Sequence, residues 1–370
     1  MSLPIPYNPK QTVIPEEFKN IAPYEDDEIL SAIRRVLQHK EALYFICSKI
    51  APDVDFKDFV ELSLSIKSVE EYQMKIGIPM LMRILNNSTE AGLTCEGFDQ
   101  LEPHGRYLFV SNHRDITLDA AMFIKSLYRF NLDPCEIAFG DNLIANPLIG
   151  ELARINRMFP ILRGGTRREF YQASLLVSKY IRYCLTEKNK SVWIAQRNGR
   201  TKNGDDRTEP GLMKMFSMSG TGDFVEDMDK LHIVPVAISY ENEPCANSKI
   251  YEQLVNSRGE KYSKGPNEDM MSVMRGILEQ KGAMHITVCK PLSREEIEQC
   301  AVGTTQGALN DSFVALSELI DRRIHNGYHL FQSNLDAYEK LKDFEPTVPP
   351  TREELMLQLY ANPVINKQGR

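Results

Sequence analysis

Apolar residues recur at helical spacing along the first part of the chain. Over residues 26–50 the positions that fit a helical period are Ile29, Ile33, Leu37, Tyr44 and Cys47. A second amphipathic stretch covers residues 69–87, and Pro79 is its expected break or kink because proline removes a helical hydrogen bond. We therefore expect residues 1–88 to form an N-terminal helical region.

The pattern changes near residue 89, where short apolar runs rich in β-branched and aromatic residues alternate with helix-length spacers. The runs cover residues 107–112, 136–141, 192–197, 232–240 and 285–290. Strands that alternate with helices predict an α/β fold, a sheet with helices on its faces, which we assign to residues 89–295. In such folds, reactive side chains collect in the loops that follow the strands.

Residues 296–370 predict a C-terminal helical extension. Ser293, with Glu296 three positions later, has the pattern of a capping box at a helix start. Residues 308–324 are apolar at helical spacing. After Pro346 the chain is expected to run as an extended arm into a last short helix.

The charge and the composition of the chain limit the kinds of partner and site that we expect. Lys+Arg number 44 and Asp+Glu number 51, and the net charge of −7 argues against binding nucleic acid through bulk charge, so any anion site must be local. No apolar run reaches the roughly 18 residues of a membrane span, and the chain starts without a signal peptide's apolar block, so we expect a cytoplasmic protein. The seven cysteines are scattered without C-x-x-C spacing, which indicates neither disulfides nor a metal site, and no cofactor is expected.

A histidine and two acidic residues lie close together in SNHRDITLDAAMF, residues 111–123. This stretch follows a predicted strand and precedes a helix that is expected to begin at or near Asp119. His113 could take a proton from a nucleophile if a carboxylate fixes its tautomer, and either Asp115 or Asp119 could be that carboxylate. The alternative is that Asp119 only caps the helix and His113 is a hydrogen-bonded loop residue.

The same stretch contains His-Arg-Asp, which also begins the catalytic loop of protein kinases. That loop needs an asparagine five residues after the aspartate, where this chain has Ala120. A Gly-x-Gly-x-x-Gly loop before it and an Asp-Phe-Gly after it are both missing from the sequence. The parts that hold magnesium and ATP in kinases are therefore lacking, which argues against a kinase.

A second candidate site follows the predicted strand at 192–197. Five basic residues fall within eighteen positions there, interleaved with three glycines: Arg197, Arg200, Lys202, Arg207 and Lys214, with Gly199, Gly204 and Gly211. Glycines let backbone amides approach a ligand closely, and guanidinium groups match phosphate oxygens, so we expect a phosphate site. The alternative is an ordinary charged and solvated loop.

Four motifs in chain order over residues 89–242 resemble those of the glycerolipid acyltransferase family. The first resembles His-x4-Asp, although five residues separate His113 from Asp119 and one separates it from Asp115; we favour Asp119. The others are MFPILRGG (158–165) with Arg163, the basic loop in 193–215, and IVPVAISYE (233–241) with Pro235. In the third motif Asn198 stands where the family has glutamate, and an amide cannot supply a negative charge.

The resemblance implies a mixed sheet flanked by helices, of the glycerol-3-phosphate acyltransferase type. The reaction it implies moves a fatty acyl group from an acyl carrier protein or coenzyme A thioester to the hydroxyl of a phosphate-bearing alcohol, in phospholipid biosynthesis. The acceptor would be glycerol 3-phosphate or its 1-acyl derivative, and the soluble character and large N-terminal helical region favour glycerol 3-phosphate.

The resemblance also implies roles for individual residues. His113 would be the general base, oriented by Asp119 with Asp115 as the competitor, and the alcohol would attack directly because no nucleophilic serine or cysteine is indicated. Backbone N–H groups of residues 199–201 are candidate oxyanion donors. The substrate-binding residues would be Arg163, Asn198, Gly199, Arg200, Thr201, Lys202, Arg207 and Pro235.

A lipid product implies at least transient contact with a membrane, so the cytoplasmic protein could be peripheral on the inner face. The amphipathic segment IPMLMRIL (78–85) either faces lipid or packs in the core. Two other functions stay open. One is a catalytically impaired lipid- or acyl-binding protein. Asn198 and the lengthened first motif favour this alternative. The other is a thioesterase-like hydrolase that uses the same base on water.

Overall fold

The structure is a computed structural model that describes residues 13–89, 91–144, 146–162, 164–265 and 268–369. The strands of these residues are β1 (Gly92–Glu96), β2 (Leu108–Ser111), β3 (Glu136–Gly140), β4 (Met158–Ile161), β5 (Val192–Ala195), β6 (Ile233–Tyr240) and β7 (Ala283–Val288). They form one seven-stranded sheet in the order β1-β7-β6-β2-β5-β3-β4.

The sheet is mixed. β6, β2, β5, β3 and β4 run parallel to one another, β7 is antiparallel to β6, and β1 is parallel to β7. The predicted α/β fold is therefore confirmed, and the five predicted strands are β2, β3, β5, β6 and β7. The two strands that were not predicted lie at the sheet edges, where β1 starts with Gly92 and β4 contains Pro160, which cannot donate a ladder hydrogen bond.

Helices surround this sheet and extend the chain at both ends. They are α1 (Asp26–Val36), α2 (Lys40–Ile50), α3 (Phe56–Ser65), α4 (Val69–Tyr72), α5 (Ile78–Ser88), α6 (Leu118–Arg129), α7 (Pro147–Ile155), α8 (Arg167–Thr186), α9 (Pro210–Ser217), α10 (Phe224–Asp229), α11 (Ala246–Ser257), α12 (Glu268–Leu278), α13 (Arg294–Cys300), α14 (Gln306–Asn326), α15 (Gln332–Lys342) and α16 (Arg352–Lys367). Single 3-10 turns lie at Glu16–Phe18, Phe98–Gln100 and Asp141–Leu143, and a π-helical turn at Gln73–Gly77.

Each face of the sheet is covered by its own apolar core. On one face α5 and α6 pack around Phe109, Phe123 and Trp193. On the other face α8, α9 and α14 pack around Phe159 and Tyr180. Burying one such side chain stabilises the fold by about 1.5–3 kcal/mol, so the two cores hold the strands and the loops between them in place.

The N-terminal helices deviate from the predicted pattern in detail. The stretch 26–50 forms two helices, because the chain turns between Val36 and Lys40. Pro79 lies in the first turn of α5, directly after the π-helical turn, so its missing N–H interrupts no regular helix. Of the segment 78–85, Ile84 and Leu85 are buried against the sheet and Met82 is exposed, so one face of this segment packs on the core.

The C-terminal helices follow the prediction except for the last one. Ser293 and Glu296 form the predicted capping box at the start of α13. The last helix, α16, was expected to be short but has 16 residues, with Pro363 inside it and Leu355 and Leu359 buried against α11. Among the described residues, none of the helices is both long and apolar enough to span a bilayer.

Candidate active site

The loops that carry the predicted site leave the sheet at one end. Because β2 to β6 are mutually parallel, they all finish at the same end, which we call the carboxyl end of the sheet. The loops after β2 and β5 are joined there. The N–H of Gln196 donates to the carbonyl of Ser111 (2.7 Å), and the N–H of Thr201 donates to that of His113 (2.9 Å). The first and third motifs thus meet.

His113 forms a hydrogen-bonded pair with Asp119. Nδ1 of His113 lies 3.0 Å from Oδ2 of Asp119, a residue with no solvent exposure. Because a carboxylate can only accept here, Nδ1 of the neutral ring carries the proton and the lone pair is on Nε2. The side chain of His113 keeps 10% of its exposure. The ring therefore presents a basic nitrogen that is not used by Asp119.

Asp119 is held by three further donors. The backbone N–H groups of Arg114 (2.7 Å) and Asp115 (3.0 Å) donate to its Oδ2, and the hydroxyl of Tyr240 donates to its Oδ1 (2.7 Å). Burial, followed by the nearby negative charge of Asp119, raises the pKa of Tyr240 well above its usual value, so this hydroxyl stays a donor. Asp119 lies inside α6 and not at its N-cap, which is Thr117, so it is more than a cap.

Asp115 takes the capping position that had been considered for Asp119. Its Oδ1 accepts hydrogen bonds from the N–H groups of Thr117 and Leu118, both at 2.8 Å. Its Oδ2 faces α12, where a Cβ on Gly276 would lie only 2.3 Å away. Burial, and then the charge of Asp119, raises the pKa of Asp115. The structure therefore pairs His113 with Asp119, and Asp115 holds the turn between them.

Replacing Asp115 with alanine is expected to lower the free energy of unfolding by about 1–2 kcal/mol, because two helix N–H groups lose their acceptor. The change Asp115→Asn keeps a side-chain oxygen for both bonds and should cost less. Urea denaturation of the two variants beside the wild type measures the difference. Equal losses in both variants would contradict a capping role.

Arg200 is a basic residue of the third motif that has an unused donor. It is 9% exposed, and its buried Nη1 has no hydrogen-bond partner within the described part of the chain. It precedes Thr201, which bonds to the His113 carbonyl, and its positive charge acts to lower the pKa of Asp115 against the larger effect of burial. A buried guanidinium with an unused donor, in the loop that is bonded to the loop of His113, can bind an anion.

The exposed part of the same loop differs in character. Asn198 is exposed, and Gly199 adopts a positive φ of 77° with open space around its α-carbon. Lys202 is ion-paired with Glu252 (2.6 Å), and the exposed Arg207 with Asp205 (3.0 Å). These two charges therefore already have acidic partners, unlike the guanidinium nitrogen Nη1 of Arg200 within the described residues.

Of the two remaining predicted residues, the structure describes one, Pro235, and it does not join this site. Pro235 is buried within β6, where it pairs with Val110 of β2, so it is part of the sheet and not of a loop. Arg163 lies outside the described residues. It follows β4, which is separated from β2 by β3 and β5.

A buried charge network behind the site was not predicted from the sequence. The guanidinium of Arg114 contacts Asp206 (2.8 Å) and Glu243 (3.2 Å), in the loops after β5 and β6. Lys249 of α11 donates to Glu243 and to the backbone carbonyl of Arg114 (2.7 Å). Because all four are buried, their charges compensate one another away from water, and the residue next to His113 is fixed on both sides.

The C-terminal helices reach the same network. The hydroxyl of Tyr328 donates to Asp206, and Nε2 of His325 lies 2.8 Å from the Asp206 carbonyl. Asn112 donates to Asp206 from the other side (3.2 Å). These contacts join residues that are about a hundred or more positions apart, as with Asn112 and Asp206 (94) or Tyr328 and Asp206 (122). Spacing along the chain gives no signal for them.

Comparison with known proteins identifies the family. A family model described as acyltransferase matches residues 92–239, which include His113, Asp119 and Arg200. No curated protein matches the sequence significantly. Among solved structures the chain is similar to the crystal structure of the 1-acyl-sn-glycerophosphate (LPA) acyltransferase, PlsC, from Thermotoga maritima, with 9% identity, a TM-score of 0.36, and coverage of 80% of this chain and 94% of that chain. A likeness this distant assigns neither substrate nor partner to the present chain. Residues 92–239 of the chain therefore form an acyltransferase domain, in agreement with the predicted resemblance.

Proposed function

We propose that the protein transfers a fatty acyl group from an acyl thioester to the hydroxyl of a phosphate-bearing alcohol, either glycerol 3-phosphate or its 1-acyl derivative. One arrangement carries the proposal. The imidazole of His113, bonded through Nδ1 to buried Asp119, lies in the loop that is joined to the loop of Arg200, whose Nη1 is unpaired. A base and an anion-binding group next to each other suit an alcohol with an anionic tail.

In this mechanism Nε2 of His113 accepts the proton of the acceptor hydroxyl as its oxygen forms a bond to the thioester carbonyl carbon. The tetrahedral oxyanion then collapses, the carbon–sulfur bond breaks, and the imidazolium returns the proton to the leaving thiolate. The charge of Asp119 stabilises the imidazolium between these steps. The products are an ester and a free thiol, without an acyl-enzyme.

Of the backbone N–H groups of residues 199–201, two can serve as oxyanion donors. The N–H of Thr201 donates to the His113 carbonyl (2.9 Å), so it is already used. We assign the role to the N–H groups of Gly199 and Arg200, since the positive φ of Gly199 turns the backbone sharply next to His113.

The donor would be a conjugate of acyl carrier protein or coenzyme A, and the product would enter phospholipid biosynthesis. A cytoplasmic protein that is peripheral on the inner face of the membrane would meet such a donor on one side and its lipid product on the other.

The acceptor's phosphate gives a direct test through Arg200. Arg200→Ala should raise the KM for glycerol 3-phosphate about 10- to 100-fold, because a hydrogen bond to a charged group contributes roughly 1.5–3 kcal/mol. Transfer to unphosphorylated glycerol should change little. The measurement is thiol release with each acceptor, beside Arg294→Ala, which removes a half-exposed arginine of α13. An equal rise in KM for both acceptors would contradict a phosphate contact.

Replacing Asn198 with glutamate tests the departure of the third motif from the family pattern. Because Asn198 is exposed, glutamate fits there without disturbing the fold, and we expect the rate of transfer to rise. Acceptor-dependent thiol release at saturating donor checks this, with Asn198→Gln as the matched control for size. An unchanged rate in Asn198→Glu would show that the missing carboxylate is not limiting.

The same assay separates the rival functions. A thioesterase-like hydrolase would release thiol at the same rate without an acceptor. A catalytically impaired binding protein would release none with either acceptor, although it would still bind the acyl thioester in equilibrium dialysis. Release that depends on the phosphate-bearing acceptor is the result expected here.

A further inference from the structure

The start of α8 projects from the rest of the protein. Residues 164–172, which we call the α8 tip, are all exposed, and α8 becomes buried only from Val177 onward. A capping box holds the tip in helical form, because Thr166 and Glu169 accept each other's backbone N–H. The tip is therefore ordered by its own local bonds and not by packing against a neighbour.

The exposed side chains of the α8 tip are aromatic and basic. Phe170 is 50% exposed and Tyr171 is 60% exposed. Arg167 and Arg168 precede them, and Glu169, the acidic residue of the tip, is engaged in the capping box. In a chain with a net charge of −7, this surface is locally positive and apolar at once.

The α8 tip lies at the same end of the molecule as the candidate active site. It follows β4, which is parallel to β2, so both the tip and His113 lie beyond the carboxyl end of the sheet. The loop after the neighbouring β3 exposes another apolar side chain there, Ile144, at 40%. A surface that touches the tip would therefore lie on the side of the protein from which the site is approached.

We propose that the α8 tip docks on an anionic lipid bilayer, with Phe170 and Tyr171 in the interfacial layer and Arg167 and Arg168 on lipid phosphates. Aromatic rings favour this layer, and arginines beside it are attracted to anionic headgroups. The proposal rests on the proposed function, since a lipid acceptor or product gives the docking its purpose.

A bilayer fits this surface better than a protein does. All nine residues of the tip are exposed, so a soft layer of lipid can surround them. A protein partner would need a groove of matching shape for two rings and two guanidinium groups. The rival with suitable charge is an acidic carrier protein that brings the donor, and the tests below separate the two.

Insertion can be measured with a single tryptophan at the tip. The native Trp193 is 3% exposed, so it contributes a constant background. Phe170→Trp should show a blue-shifted emission that brominated lipids quench, on vesicles of equal parts phosphatidylcholine and phosphatidylglycerol. Phe45→Trp on α2, at a residue 54% exposed in the wild type, is the matched control and should show neither. Quenching in Phe45→Trp alone, or in neither variant, would overturn the proposal.

Binding to the same vesicles tests the residue types separately. The double changes Phe170→Ala with Tyr171→Ala, and Arg167→Gln with Arg168→Gln, should each weaken vesicle binding about tenfold or more in a flotation assay. At high salt, the loss of vesicle binding caused by the arginine changes should become smaller, and the loss caused by the aromatic changes should not. Tyr44→Ala with Phe45→Ala, a Tyr–Phe pair of similar exposure on α2, should bind like the wild type. Full binding by both tip variants would refute the docking surface.

The outcome for docking is independent of turnover. With a short-chain thioester and glycerol 3-phosphate, both soluble, the tip variants should keep the wild-type rate of thiol release. If the wild type binds vesicles through the tip but transfers no acyl group, the proposed function fails and the docking surface stands. If the tip variants bind vesicles normally but lose transfer from the carrier-protein donor, the tip belongs to that protein and the bilayer proposal is wrong.

Discussion

The change His113→Ala is expected to slow acyl transfer by a factor of about 10² to 10⁴, the range that a positioned general base contributes. Without the imidazole, the acceptor hydroxyl must lose its proton to water as it attacks, and the leaving thiol must take one from water. The variant should still bind the acyl thioester, because binding of the acyl chain does not require this imidazole. The measurement is kcat/KM for acceptor-dependent thiol release.

The chain offers a matched control for this variant. His104 also pairs with an aspartate, since its Nδ1 lies 3.2 Å from Asp133, but its side chain is 76% exposed and lies before β2. The change His104→Ala removes the same side chain and the same kind of contact far from the carboxyl end of the sheet. It should keep the wild-type rate. Equal rates in His113→Ala and His104→Ala would contradict the role of His113 as general base.

Asp119→Asn should lower kcat by a factor comparable to that of His113→Ala, about 10² to 10⁴, with a much smaller change in KM. An amide can donate to Nδ1 of His113, which would move the ring proton to Nε2 and remove the base. The amide also supplies no negative charge to stabilise the imidazolium. The kinetic constants and the nitrogen-15 shifts of the histidine ring measure the two effects, because the shifts report which nitrogen is protonated.

A merely structural role for Asp119 would give a different result. Four hydrogen bonds converge on this carboxylate, so Asp119→Asn also costs stability, and thermal unfolding must be recorded beside the kinetics. Asp133→Asn, which alters the aspartate of the exposed pair, is the control and should leave both the rate and the tautomer of His113 unchanged. A folded Asp119→Asn with an unaltered His113 tautomer and normal kcat would contradict the pairing's role.

The sheet could be predicted because five of its strands are buried on both faces and read as apolar runs. β1 and β4 were not predicted, because these edge strands are less buried than the central ones and contain Gly92 and Pro160. The last helix was underestimated because Pro363 suggests an end, whereas Val364 and Asn366 beyond it are still helical and buried.

The candidate site was predictable in part, because loops after parallel strands meet at one end of a sheet. The choice between Asp115 and Asp119 needed three dimensions, since both stand near His113 along the chain and only the turn decides which carboxylate meets the ring. The sequence does not show that Lys202 and Arg207 of the predicted phosphate loop are paired with Glu252 and Asp205. Glu252 lies fifty residues away from Lys202 along the chain.

The network around Arg114 could not be read from the sequence at all. In the sequence, Arg114 is part of a kinase-like tripeptide and Asp206 lies in the charged loop after the strand at 192–197. In the structure they are the two halves of a buried ion pair that ties the loop of His113 to the loop of Arg200. This ion pair holds the loop of the proposed base, His113, at a fixed distance from the loop of Arg200.

The central claim is that His113 activates the hydroxyl of a phosphate-bearing alcohol. Its most direct test is mass-spectrometric identification of the products after wild-type protein and His113→Ala have each been incubated with palmitoyl thioester and glycerol 3-phosphate. We expect acylated glycerol 3-phosphate from the wild type and almost none from His113→Ala. Equal yields of that ester from both proteins, or free palmitate as the wild type's product, would contradict it.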